Sequence, residues 1–156
     1  DFVVVNTYVP NSGQELKRLT YRTKWDAALR AYMVKLAAQQ LPVIFAGDLN
    51  VAHQPIDIAR PKPNYNKTAG YTQKEIDGMS ALLATGYVDT FRKKHPELVK
   101  YSWWSQRFGA RAKNVGWRID YQIATPGIAA KARRAEIYTA QRFSDHAPLT
   151  IDYAIR

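Results

Sequence analysis

Seven side chains stand at strand ends where packing alone gives no reason for them. Asp48 and Asn50 close the apolar run "VIFAGDLN", and Asp120 lies in "WRIDY". Asp145 and His146 lie in "SDHAP", and Tyr8 and Asn11 in "YVPNSG". Carboxylates, an imidazole, a phenol and amides are together the parts of a metal-assisted hydrolase. Carboxylate oxygens suit a hard cation such as Mg2+. A cation or an imidazolium stabilises charge on a phosphoryl oxygen. A further carboxylate takes a proton from water, and an amide orients that water. Taken singly, each residue has a plainer reading. Asp48 caps a turn, Asn50 holds an Asx-turn, His146 fills a core, and Asp120 pairs with its neighbour Arg118 at the surface. His53 and His95 read as loop residues without chemistry.

The elements that must carry these groups are legible as patterns. Residues 2–9, "FVVVNTYV", are β-branched and aromatic and predict a strand, with turn chemistry in "PNSG". Residues 15–39 carry Leu16, Leu19, Leu29, Tyr32 and Leu36 mostly on one stripe and predict a long helix closed by Pro42. "VIFAG" predicts a short apolar strand. Residues 53–71 read as a long polar loop, of the kind that is functional or disordered. Thr72 and Glu75 form a capping box for a helix to about residue 84, stopped by Gly86. "DTFRKKHP" predicts a short helix. "YSWWS", "WRIDYQIA", "AEIYTA" and "APLTIDYAI" predict strands. Strands and helices mix without strict alternation, which predicts an α+β fold, mainly antiparallel sheet with flanking helices.

The chain has 156 residues, enough for a single domain over 1–156 with its own core. It has no cysteine, which excludes disulfides and thiolate metal sites. No run reaches the roughly 18 apolar residues that span a bilayer, so no membrane partner is expected. The formal net charge of +10 favours a polyanionic partner.

"GDLNVAH", "NVGWRIDY" and "SDHAPL", in this order and with "YVPNSG", resemble the exonuclease III family of abasic-site (AP) DNA endonucleases. That family sits within the endonuclease/exonuclease/phosphatase (DNase I-like) superfamily. "GDLN" and "SDH" indicate the superfamily; "NVGWRIDY" with "YSWW" narrows the resemblance to the exonuclease III branch. It extends over essentially the whole chain. The resemblance implies Asp48 as the group that deprotonates the attacking water and Asn50 as the group that orients it. His146 would touch the scissile phosphate, Asp120 would fix its tautomer, and Tyr8 would contact phosphate with Asn11 nearby. Mg2+ or Mn2+ would be held by Asp145, Asp48 and Asn50, with the main glutamate ligand elsewhere. Trp103 and Trp117 would wall a pocket for a flipped abasic sugar. Arg107, Phe108, Arg111 and Lys113 would meet DNA beside it, as would Asn64, Asn66 and Lys67 in the long loop. Gln14 stands where some relatives carry a basic DNA-inserting residue.

The family fold is a four-layer α/β/β/α sandwich, and the resemblance covers only its second half. The implied partners are therefore double-stranded DNA with abasic sites and the missing N-terminal half of the same fold. The implied function is hydrolysis 5′ to an abasic site, with 3′-5′ exonuclease or 3′-phosphodiesterase activity beside it, and the chain alone is expected to be inactive. It would act inside the cell, in cytoplasm or nucleoid. The rival readings are a phosphatase or lipid phosphodiesterase of the superfamily, and a noncatalytic DNA-binding half-domain.

Overall fold

The computed structural model describes residues 1–155. Its centre is a four-stranded sheet in the order β1-β2-β6-β3. Strand β1 (Val3–Asn6) runs parallel to β2 (Val43–Asp48). Strand β6 (Asp120–Ala124) is antiparallel to β2 and to the short β3 (Val88–Asp89). The pairing sets Asp48 opposite Asp120 at the carboxyl end of β2. Two candidate site residues thus come together through backbone register alone.

The alternation of β1 and β2 sorts their side chains by face. Val43, Phe45, Tyr121 and Ile123 are buried on one face, with Met33, Met79 and Leu82 from helices α1 (Leu19–Ala37) and α3 (Gln73–Leu83). Fully burying a side chain such as Phe45 stabilises the fold by roughly 1.5–3 kcal/mol. On the other face Ile44 and Ala124 pack with Ile128 and Ala129 of α5 (Pro126–Ala129). Val4, on β1, is 59% exposed there, so the apolar face of the sheet is covered only in part.

Two ribbons complete the molecule. Strand β4 (Trp103–Trp104) pairs with β5 (Gly116–Trp117), and β7 (Ala132–Ile137) with β8 (Leu149–Tyr153), both antiparallel. With α4 (Thr90–Lys94) they enclose a second core around Phe91, Tyr101, Trp104 and Ile137. The expected mainly antiparallel α+β architecture is what forms, with one parallel pair, β1–β2. Among the described residues no helix is long and apolar enough to cross a membrane.

Several boundaries differ from the sequence patterns for physical reasons. The long helix starts at Leu19 because Glu15 and Leu16 take positive φ, 55° and 58°, in a turn before it. Strand β1 stops at Asn6. Residues 53–71 are not a bare loop: they contain a 3-10 turn at Pro55–Asp57 and helix α2 (Pro61–Asn64). Ile58 also bridges to Trp117. "WRIDYQIA" splits after Trp117, because Arg118 leaves the ladder to bury its guanidinium and its N–H bonds to Asp57 O. The last hairpin begins earlier than "AEIYTA", at Ala132.

Candidate active site

Glycines allow the strands to approach where the site is built. Gly47 has φ +146°, and a Cβ there would lie 1.9 Å from Thr7 O. Only glycine lets the chain after β1 cross the end of β2, where Val9 N bonds to Asp48 O. In "NVGW", a Cβ on Gly116 would meet Trp104 Nε1 at 2.4 Å. Its absence lets β4 and β5 close together and brings Trp103 opposite Trp117, their rings edge to face with centroids 6.3 Å apart.

These strand ends surround a cavity of about 740 Å³. Tyr8, Asn11, Asp48, Asn50, Lys67, Trp103, Arg107, Trp117, Asp145 and His146 all line it. Ten of the candidate residues, scattered from position 8 to 146, therefore share one space. Asp120 stands behind His146. The imidazole Nδ1 lies 2.9 Å from Asp120 Oδ2 and 3.1 Å from Oδ1, and Nε2 faces Asp48 Oδ2 at 4.0 Å. The order Asp120, His146, Asp48 is a charged line with its open end in the cavity.

The electrostatics follow from that line. The bond to Asp120 raises the pKa of His146 above its ordinary 6.5 against the opposing effect of burial, and Asp48 and Asp145 add to the rise. Burial pushes Asp48 up to about 6, aided by the nearby Asp120 charge and opposed by the Asn50 N–H on its carboxylate. For Asp145, burial works upward but is outweighed by several effects together, chiefly the Trp103 indole bonded to Oδ2, its own backbone N–H, and nearby His146 and Gln106, so its carboxyl is held low.

Asp48 is only 15% exposed, and a carboxyl whose folded pKa lies above its unfolded 3.8 opposes folding once ionised. Its protonated form favours the fold below pH 4, and that advantage is lost as pH rises through 6. Asp48→Asn is therefore expected to raise unfolding free energy by about 1–3 kcal/mol at pH 7.5 and by little at pH 4. Urea melts at the two pH values check it; an equal gain at both would remove Asp48 ionisation as the cause.

Asn50 is buried, at 6% exposure, and most of its amide is spent inside the protein. Nδ2 donates to Val9 O at 2.9 Å and to Asp48 Oδ2 at 3.3 Å, and Oδ1 accepts from Asn11 Nδ2 at 2.9 Å. One Oδ1 lone pair remains for a water or a cation. Asp48 Oδ1 accepts from Asn50 N at 2.9 Å. Among the described residues no three Asp, Glu or His side chains gather in a metal-holding group. Asp48, Asn50 and Asp145 all line the cavity.

The DNA-contact candidates divide. Asn64, Phe108 and Lys113 line a neighbouring cavity of about 440 Å³ with Arg60, and it shares Trp103, Arg107 and Trp117 with the first. Phe108, 89% exposed at φ 57°, projects from this rim. Asn66 and Arg111 line neither cavity. Asn66 Oδ1 accepts from Gln73 N at the start of α3, and Arg111 lies over Trp104 and donates to Ser144 O. His53 bonds Ser80 Oγ and His95 bonds Ala135 O, away from the site.

Sequence reasoning missed the buried residues that hold this arrangement. Ser102, fully buried, accepts from Ile119 N and Asp120 N, and its carbonyl takes Ala147 N. Glu75 was legible only as a helix cap, yet its carboxylate also takes Ser12 Oγ and Gly70 N, tying two cavity walls. Arg118 does not pair with Asp120 at the surface; it is 1% exposed and bonds Asp57 and Asp89. Ile119 lines the cavity between its walls. For Arg118 the available signal was a charged residue inside an apolar strand pattern, and for Glu75 the capping box of α3; nothing in the sequence marked Ser102.

The sequence model of the Endonuclease/Exonuclease/phosphatase family matches residues 1–146. The chain is 44% identical over 149 residues to the Exodeoxyribonuclease of Bacillus subtilis (strain 168), covering 95% of the chain and 58% of that protein. It is 42% identical over 156 residues to DNA repair nuclease APEX1 of Danio rerio, covering 99% of the chain and 50% of that protein. An AP endonuclease structure from Archaeoglobus fulgidus superposes with a TM-score of 0.90 at 28% identity, over 98% of the chain and 62% of that one. The chain spans about half the length of the curated relatives it matches.

Proposed function

Because the chain belongs to the Endonuclease/Exonuclease/phosphatase family, in its exonuclease III branch, we propose that it carries one side of a phosphodiester-cleaving site for DNA at abasic lesions. The observation that supports this most is the line Asp120, His146, Asp48 opening into a cavity walled by Trp103 and Trp117.

In this reading Asp48, with its pKa near 6, is a carboxylate at neutral pH and takes a proton from water. The hydroxide adds to phosphorus and the P–O3′ bond 5′ to the lesion breaks; O3′ takes a proton from solvent water to leave as the 3′-hydroxyl, and Asp48 returns its proton to solvent. His146, whose cationic form the Asp120 bond favours, donates from Nε2 to a phosphoryl oxygen as charge builds there. Asn50 anchors the Asp48 carboxylate and leaves one oxygen lone pair toward the cavity. Tyr8 and Asn11 stand at the phosphate side. Mg2+ or Mn2+, when bound, would supply Lewis-acid charge, with Asp48, Asn50 and Asp145 as donors here and a glutamate from the rest of the fold.

Abasic DNA is the substrate that suits the walls. A nucleotide without a base costs little to extrude from the stack, and two indoles can flank its sugar. Lys67, Arg107 and Lys113, within a net charge of +10, draw the phosphate backbone. Phe108, exposed on the rim, is shaped to wedge into the duplex. The partly covered sheet face and the unpaired edge of β1 are where the other half of the fold would dock. The protein would act wherever cellular DNA is repaired, in cytoplasm or nucleoid.

A nicking assay tests the proposal. The chain, combined with a polypeptide supplying the rest of the fold, is expected to cut an abasic-analogue duplex 5′ to the lesion. It should act far more weakly on intact duplex and on inositol phosphates or sphingolipids. Preference for either small substrate class would replace this reading with the phosphatase or lipid phosphodiesterase one.

A further inference from the structure

Arg22 belongs to no catalytic motif and sits on α1, yet its guanidinium reaches both loops that carry the site. It is 2% exposed. Nη1 donates to Pro10 O and to Asn50 O, each at 3.1 Å, and Nη2 donates to Leu49 O at 2.8 Å. Nε is taken by both oxygens of Asp26, one helical turn on, at 2.8 and 2.9 Å.

These carbonyls come from the segments after β1 and β2, where the ladder ends and backbone oxygens lose their sheet partners. Pro10 precedes Asn11, whose amide holds Asn50 Oδ1 at 2.9 Å. Asn50 itself stands at φ 47°, a left-handed turn that asparagine adopts more readily than most side chains, and its carbonyl is fixed from outside the turn. The restraint on its carbonyl is Arg22. A planar fork spans three acceptors and a carboxylate at once, which a lysine ammonium on a flexible stem cannot do.

We infer that Arg22 is a positioning residue of the cleavage reaction, a clamp that fixes Asn50, and through it the Asp48 carboxylate, against Asn11 across the two loops. The inference rests on the phosphodiesterase reading given above.

Arg22→Lys keeps the charge and one or two of the bonds but cannot bridge the loops. In the nicking assay, below its own melting temperature, it is expected to lower kcat by about 10- to 100-fold with KM within about threefold. A purely structural role would not produce the second readout, a cycle with Asn50→Ala. If Arg22 acts through Asn50, Arg22→Lys costs the Asn50→Ala enzyme less than about twofold. Multiplicative effects, or an unchanged kcat, overturn the inference. If Arg22→Lys does not fold, Asp26→Asn, which loosens only Nε, must show the same non-additivity, and additive effects there overturn it equally. Absence of nicking by the unmutated protein instead overturns the phosphodiesterase reading on which the inference stands.

Discussion

His146→Ala is expected to lower single-turnover cleavage of an abasic duplex by about 10²–10⁴-fold while DNA affinity changes little. The imidazole is 32% exposed at the cavity wall, its Nδ1 occupied by Asp120 and its Nε2 toward Asp48 and the open space. In the proposed reaction this arrangement presents the Nε2 side of the ring to the phosphate. Removing the ring takes away the group whose interaction strengthens as charge builds on phosphorus, so the loss falls on kcat. Affinity is spread over many phosphate contacts among the basic residues, and losing one imidazole from them is minor. Asp48 and Asp120 would be left facing each other across the vacated position, opposite in register. Two carboxylates without the cation between them repel, which raises the pKa of Asp48 further and compounds the loss. Quenched-flow cleavage and equilibrium binding on the same variant separate the two quantities. Cleavage within about threefold of the parent would remove His146 from the chemistry.

Asp57→Asn is expected to destabilise the fold by about 3–5 kcal/mol without touching a cavity residue. Asp57 is fully buried and accepts from Arg118 Nε at 2.8 Å, Arg118 Nη2 at 3.1 Å and Arg92 Nη2 at 2.5 Å. Arg118 also reaches Asp89 at 2.7 Å and lies over the Tyr121 ring. Neutralising the shared carboxylate leaves Arg118 with Asp89 as its carboxylate and Arg92 with only the carbonyls of His95, Pro96 and Leu98 on its guanidinium, and an under-compensated buried charge is the costly case. The sign with pH is fixed as well. Burial alone would raise the Asp57 pKa, but Arg118 and Arg92 outweigh it and hold it below 3.8. Its stabilisation is therefore complete above pH 4 and lost only as pH falls through that lowered value. For a chain of this size each kcal/mol moves the melting temperature by about 2–4 °C, so a fall of roughly 10 °C is expected at pH 7. A fall under about 2 °C would show that the cluster contributes position and not stability.

The first-line residues were legible because polar groups at strand ends have few reasons to be there. Asp48, Asn50 and His146 broke an apolar pattern, and their motifs came in family order. The fold followed from the same apolar runs, since β2 and β6 read as strands and their register alone sets Asp48 beside Asp120. What stayed hidden was side-chain reach across sequence distance. Arg22 looks like one more cation on a helix, and only the folded chain shows it facing carbonyls 12 and 28 residues away. Arg118 lies two residues before Asp120, but β6 begins only at Asp120; before it, Arg118 turns inward with its N–H on Asp57 O, and its guanidinium partners are Asp57 and Asp89. Asn66 looked like a loop amide, and only the folded chain shows its Oδ1 accepting from Gln73 N at the start of α3. Single-residue types announce chemistry; the buried groups that aim them do not.

We propose that this chain holds one side of a phosphodiester-cleaving site whose metal ligands are completed from outside it. The nicking assay tests that most directly when residues 1–156 are measured alone and then with a polypeptide supplying the remaining half of the fold and its glutamate. Almost no cleavage is expected from the chain alone, and Mg2+-dependent cutting 5′ to the lesion once the two are combined. Full-rate nicking by the chain alone, or a folded pair that binds abasic duplex and never cuts it, would contradict it.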